Sequence, residues 1–216
     1  MKKINRRVLL ISTIGCLLPI IVGLILYDKL PAMLPTHFNS AGEVDSYSSK
    51  NFTVFGLPLL LAAINLITII FVNIDPKRKL NQDNIINLIY WIIPVLTNIV
   101  CYASYFVALG YAINVTIIVE VFTGLLIMVI GNYLPKIKPN YTVGIKLPWT
   151  LNDDDNWYKT HRYSGKVWFV GGFLLILSSF IPSAYQMFFF IIIISILVII
   201  PFIYSYRLYL KKNHNS

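Results

Sequence analysis

Six runs of almost unbroken apolar residues dominate this 216-residue chain: Val8–Tyr27, Phe52–Val72, Ile85–Leu109, Val115–Leu134, Val167–Ile181 and Tyr185–Tyr206. A helix rises about 1.5 Å per residue and a bilayer's hydrocarbon core is about 30 Å thick, so roughly 20 apolar residues cross it. Hydrocarbon offers no partner to a bare backbone amide, which restricts spanning segments to helices and closed barrels. The runs are continuous rather than alternating, and that selects helices. The expected fold is therefore all-α, a polytopic membrane protein of six transmembrane helices. The fifth run is the shortest and must recruit residues before Val167 or tilt little. Composition excludes a soluble domain: 57% of residues are hydrophobic, only 12% are charged, and the mean hydropathy is +0.70, against about 25% charged in soluble chains.

The net charge of +9 would suit nucleic acid if it formed a patch, but the cations sit at the ends of the apolar runs, where they set membrane orientation. With the N-terminus inside and six crossings, 16 of the 18 Lys and Arg fall in cytoplasmic segments and only Lys29 and Lys50 outside. Both termini are thus expected in the cytoplasm, and direct nucleic-acid binding is disfavoured. MKKINRR looks like the charged start of a signal peptide, yet the apolar run behind it is span-length and no small-x-small cleavage site follows. Thr13–Cys16 resembles a lipidation site only faintly, and the first run is read as an uncleaved helix. The short, uncharged connections 110–114 and 182–184 make spans three–four and five–six tight hairpins. The outside loop 28–51, with Pro31, Pro35, Gly42 and a run of Ser and Asn, reads as turn chemistry. The chain divides into an N-terminal two-helix unit, residues 1–84, and a four-helix unit, residues 85–216.

The longest stretch too polar for a bilayer is Gly131–Lys166. Pro135 and Pro139 stop the fourth helix, and Pro148 biases Leu147 toward an extended backbone. Thr150 with Asp153 three residues later fits a helix start, Asp153–Asp155 favour its N-terminal dipole, and Lys159, Arg162 and Lys166 follow. Trp157, His161, Ser164 and Trp168 recur at helical spacing on one face. The expectation is a short amphipathic helix at the inner interface that turns into span five. As a membrane-surface helix it would be anchored by Trp149 and Trp157, with lysines meeting anionic lipid; as a docking face it would meet a protein partner.

Signals for chemistry are sparse. Cys16 and Cys101 both lie inside apolar runs, which argues against a structural disulfide and leaves no metal-ligand spacing. His37 is the single outside histidine, better suited to holding its Pro-rich loop by a hydrogen bond than to binding metal. His161 has no second His or Cys nearby. No cofactor or metal is expected. Glu120 is the one carboxylate inside an expected span, where a charge costs on the order of 2.5–3.5 kcal/mol, so it is a functional candidate by position. No paired Asp, Ser–Lys or His-Glu-x-x-His arrangement lies in the spans, so catalysis is not expected.

GNYLPKIKPNYTVGIKLPWTLNDDDNWYKTHRYSGK resembles the signature of the SdpI family of bacterial membrane proteins. There the pattern runs Gly-Asn-x-Leu-Pro-Lys, then a Gly-Ile-Arg-Thr-Pro-Trp-Thr-Leu core, then Trp, His-Arg and Gly-Lys. LPAMLPTHFNSAGEVDSYSSK in the outside loop resembles the Pro-Thr-His-[Phe/Trp]-Asn-x-x-Gly-x-x-Asp segment of an N-terminal domain often fused to it. Two departures stand out. The core's Arg-Thr is Lys146-Leu147 here, which keeps the charge but loses the planar fork that grips an anion at two points. Ser46 and Ser48 stand where relatives often carry glycine. The resemblance implies a multi-pass protein of the bacterial plasma membrane that protects against a secreted antimicrobial peptide toxin. It further implies signalling by holding a cytosolic repressor at the membrane. The topology set by the cations then divides the candidates: His37, Asn39, Glu43 and Asp45 are expected to face the toxin outside. Asn132, Lys146, Pro148, Trp149, Thr150, Trp157, His161 and Arg162 form the inner face, with Glu120 a further candidate. The competing reading is a small transporter or channel built on Glu120 and the in-span prolines Pro19, Pro58, Pro94 and Pro201.

Overall fold

The computed structural model describes residues 6–39, 42–74 and 83–214, with side chains from residue 85 onward in the last stretch. Helix α1 (Arg6–Ile25) is followed by a hairpin of β1 (Met33–Phe38) and β2 (Val44–Ser49), then a π-helical turn, Phe52–Gly56, that leads into α2 (Leu57–Ile74). Next come α3 (Asp83–Ala108), α4 (Val115–Tyr133), a 3-10 turn at Leu134–Lys136, the short α5 (Pro148–Leu151), α6 (Asp154–Ser178) and α7 (Ser183–His214). Among the described residues, five stretches are long and apolar enough to cross a membrane: Arg6–Ile25, Phe52–Ile74, Ile85–Ala108, Val115–Lys136 and Ser183–His214. They correspond to expected spans one to four and six, and the protein is a multi-pass, helical membrane protein. The fifth expected span is the C-terminal part of α6, whose first half carries the polar HRYSGK. That leaves it short of the length and apolarity of the other five. Lys2, Lys3 and Lys77, Arg78 and Lys79, which weigh in the orientation argument, lie outside the described residues.

The helices are inside-out relative to soluble ones. Leu10, Ile11, Ile14, Leu18 and Ile21 of α1 are exposed, while its buried positions are Ser12, Gly15, Cys16, Pro19 and Gly23. Lipid is as apolar as leucine, so helices associate through small residues that allow close approach and through hydrogen bonds. Two of the in-span prolines, Pro19 and Pro201, show the same logic. Pro19 has no N–H for the carbonyl of Gly15 four residues earlier, and Asn98 Nδ2 donates to that carbonyl at 2.8 Å. Pro201 likewise frees the Leu197 carbonyl, which accepts from Trp168 Nε1 at 3.0 Å. A proline-broken helix survives in hydrocarbon because a neighbouring side chain pairs the orphaned oxygen.

Packing separates two compact units: α1, the hairpin, α2 and α3 form one, and the chain from α4 onward forms the other. The division drawn from sequence at residue 84 groups the helices differently, because α3 packs on α1 and α2. In the first unit Leu30, Leu34, Val54, Cys101 and Tyr105 make a buried cluster under the hairpin, and Ser104 Oγ donates to the Pro35 carbonyl at 2.6 Å. The loop read as turn chemistry is thus an ordered antiparallel hairpin, paired Met33 to Ser49 through Phe38 to Val44, with irregular register around His37. In the second unit, glycines seven apart bring α4 and α6 into backbone contact. A Cβ on Gly172 would lie 2.5 Å from the Gly124 carbonyl oxygen, and one on Gly165 would lie 2.7 Å from that of Gly131. Leu175 of α6 closes on Ile193 and Leu197 of α7.

Candidate functional site

The 134–166 segment is a knot of polar side chains bonded to backbone. Beyond the 3-10 turn the chain is extended at Ile137, whose carbonyl accepts from Trp157 Nε1 at 2.8 Å. Asn140 then makes four bonds. Its Nδ2 donates to the carbonyls of Lys138 (2.9 Å) and Val143 (2.8 Å), and its Oδ1 accepts from the amides of Thr142 (2.9 Å) and Val143 (2.6 Å). Gly144 follows at φ +119°, and a Cβ there would lie 2.5 Å from His161 Nε2. That clearance lets His161 accept from the Ile145 amide at Nε2 (2.9 Å) while Nδ1 bonds the Trp157 carbonyl (2.8 Å). An acceptor at Nε2 requires the proton at Nδ1, so these bonds select one neutral tautomer. Burial pushes the imidazole down to about 4, against the partial compensation of the Trp157 carbonyl. The ring also stacks on Trp157, centroids 4.1 Å apart.

Thr150 closes the loop: its hydroxyl accepts from the Leu147 amide (2.9 Å) and lies 2.9 Å from the Ile145 carbonyl. Leu147 is extended, as the following proline demands, and Pro148 opens α5. The helix cap expected at Thr150 is instead Asp153, which accepts from the amides of Asp155 and Asn156. Thr150 belongs to the separate turn α5. Nor is there a short surface helix that bends into a span, since α6 runs unbroken from Asp154 to Ser178. Its predicted common face holds for Trp157, His161 and Ser164, which are buried, while Trp168 is half-buried. A wholly buried Trp157 cannot be an interfacial anchor.

Helix α7 braces this knot. Trp149 donates to Ser205 Oγ at 3.0 Å and packs among Phe202, Tyr206 and Tyr209. Asn156 Nδ2 donates to the Ser205 carbonyl at 3.0 Å. Asp153 meets Lys212 at 2.9 Å, which holds its carboxyl below the usual range. The candidates therefore sort by exposure. Thr150, Trp157 and His161 are buried and spend their hydrogen-bonding atoms on the loop, and Trp149 is half-buried. Asn132, Lys146, Pro148 and Arg162 are exposed, with Lys146 Nζ bonded to the carbonyls of Tyr141 and Thr142. Asn140, Gly144, Asn156 and Ser205 were missed in the sequence. The Pro139-Asn140 dipeptide was the one available turn signal.

On the hairpin, His37 Nδ1 lies 2.5 Å from Asp45 Oδ1, both side chains being solvent-exposed. Asn39 shapes the tip: its Oδ1 accepts from the Glu43 amide at 3.0 Å and its Nδ2 donates to Glu43 Oε2 at 3.2 Å. Beside the tip, an open cleft of about 400 Å³ runs between Phe38, Gly42 and Val44 and the connection Tyr111–Asn114. Glu120 in α4 is 5% exposed, and its Oε2 has no hydrogen-bond partner among the described residues. Among the described residues no group of three or more His, Cys, Asp or Glu could hold a metal.

Residues 136–205 match the SdpI/YfhL protein family, and residues 14–62 match a domain of unknown function, DUF1648. The first match spans the knot, α6 and most of α7; the second spans most of α1, the hairpin and the start of α2. The chain is 27% identical to the Immunity protein SdpI of Bacillus subtilis (strain 168) over 210 residues, 94% of this chain and 97% of that protein. No solved structure gives a significant match. This multi-pass membrane protein is thus similar to the SdpI family over residues 136–205 and to DUF1648 in its N-terminal half, in an order matched by the alignment across nearly the whole chain.

Proposed function

We propose that this chain is a non-enzymatic membrane immunity protein that confers resistance to a secreted antimicrobial peptide. The observation that carries the reading is the alignment with an immunity protein over 94% of the chain. In this reading α6 crosses the bilayer as a sixth span and both termini are cytoplasmic, in accord with 16 of 18 cations on one side. The hairpin then faces outward, where His37, Asn39, Glu43 and Asp45, beside the Phe38 and Val44 that it contributes to the cleft, meet the peptide. The knot faces inward. Its exposed Asn132, Lys146, Pro148 and Arg162, shaped from beneath by Thr150, Trp157 and His161, present a basic surface to a cytosolic repressor.

The test is survival of a toxin-sensitive, immunity-deleted strain that expresses this protein, beside Asp45→Ala, Lys146→Ala and Glu120→Gln variants at equal membrane levels. Protection is expected, lost in Asp45→Ala and kept in Lys146→Ala, while a repressor-controlled reporter responds to Lys146→Ala. No protection at normal expression would sink the immunity reading for that toxin. The unpartnered Oε2 of Glu120 is the observation that favours a transport reading instead, and substrate-dependent flux abolished by Glu120→Gln would establish it.

A further inference from the structure

The apolar part of α6 is short. From Val167 to Ser178 it spans about 18 Å, against a hydrocarbon core of about 30 Å. A bilayer meeting such a segment thins locally, or flanking cations snorkel up to the phosphates. The outward side of this stretch is unpacked, with Phe169, Val170, Phe173, Leu174 and Leu177 each 45–56% exposed. Between it and α7 runs a groove of about 330 Å³ lined by Val170, Gly171, Leu174, Ile193 and Ile196, with Lys166 at one end. At Gly171 the missing side chain lets α7 close on α6, since Leu197 Cδ2 lies 2.4 Å from where its Cβ would be, and the groove runs beside that contact. No polar surface lines it, and Lys166 contributes only its aliphatic stem.

One turn before Lys166 on the same face is Arg162, also exposed. Two of the three carboxylates at the start of α6 are engaged elsewhere, Asp155 with Lys159 at 2.6 Å and Asp153 with Lys212. The site therefore has two parts of matching chemistry, a slot that only hydrocarbon fills and a pair of cations at its mouth.

We propose that this groove binds the acyl chain of an anionic phospholipid whose phosphate lies between Lys166 and Arg162. The chain covers the apolar faces that Val170, Leu174 and Ile196 leave exposed, and the two cations select the headgroup charge. This rests on α6 entering the bilayer and is independent of immunity. A cation near an anionic surface contributes about fivefold in affinity.

The full-length protein, purified and delipidated in detergent, is titrated with phosphatidylglycerol or phosphatidylethanolamine of identical acyl chains, and bound lipid is counted by native mass spectrometry. Phosphatidylglycerol is expected to be retained at least fivefold better. Lys166→Gln should lose about fivefold for phosphatidylglycerol and nothing for phosphatidylethanolamine. Val170→Trp, which fills the slot from its exposed side, should weaken both lipids. Equal retention of the two lipids by the unmodified protein would overturn the proposal. So would phosphatidylglycerol retention undiminished by Val170→Trp, because a charged surface without a slot gives that result. Both substitutions are at exposed positions, and thermal melting checks that each variant is folded.

Discussion

Acidification should open the loop around Gly144 through His161. Its imidazole accepts the Ile145 amide at Nε2, and a protonated ring has no lone pair there to accept it. Folded, the group titrates at about 4 against an ordinary value of 6.5. A depressed value means the opened loop binds the proton more readily than the closed one. The stabilisation is therefore complete above about pH 6.5 and falls by about 1.4 kcal/mol per pH unit down to about pH 4, where the loss levels off. Between pH 7 and 5 the open population of the loop rises on the order of 20-fold, roughly 1.8 kcal/mol. Hydrogen exchange at residues 144–150, corrected for intrinsic rates, reads this directly. His161→Gln supplies the control, because an amide side chain offers a donor and an acceptor but does not titrate. Protection that is flat from pH 7 to 5, or that falls equally in His161→Gln, would refute the assignment of the loop's stability to this histidine.

Gly144→Ala combines a φ of +119° with a Cβ 2.5 Å from His161 Nε2. It should cost about 1–3 kcal/mol and raise exchange over the same residues even at pH 7. Unchanged protection would mean the ring is not held where the hydrogen bonds put it. Asn98→Ala strands the Gly15 carbonyl that Pro19 leaves unpaired, and Trp168→Phe strands that of Leu197 above Pro201. Each should destabilise the protein by about 1 kcal/mol in detergent unfolding. The Asn98 loss should shrink when Pro19→Ala restores the helical amide, and a double mutant no better than Asn98→Ala would contradict the pairing.

The positions of the membrane helices were legible in the sequence because length and apolarity are local properties set against a fixed hydrocarbon thickness. The run expected at Phe52–Val72 is Phe52–Ile74, and that at Ile85–Leu109 is Ile85–Ala108. The shared face of Trp157, His161 and Ser164 was legible for the same reason, since helical periodicity needs nothing beyond the helix. What that face meets was not. Spacing groups residues on one side of a helix but cannot say whether lipid, solvent or protein lies opposite, so an expected membrane anchor is a buried donor to Ile137. The hairpin escaped because Met33–Phe38 and Val44–Ser49 lack a clean alternation. Their order comes from the pairing of the two strands and from Leu34 and Pro35 packing against α3. Asn98 with Gly15, 83 residues apart, and Asn156 with Ser205, 49 apart, mark the same boundary. The sequence by itself determined where helices form and which groups they leave unpaired. Only the tertiary structure decided which distant side chain pairs them, because that depends on how helices cross, and a crossing has no local signature.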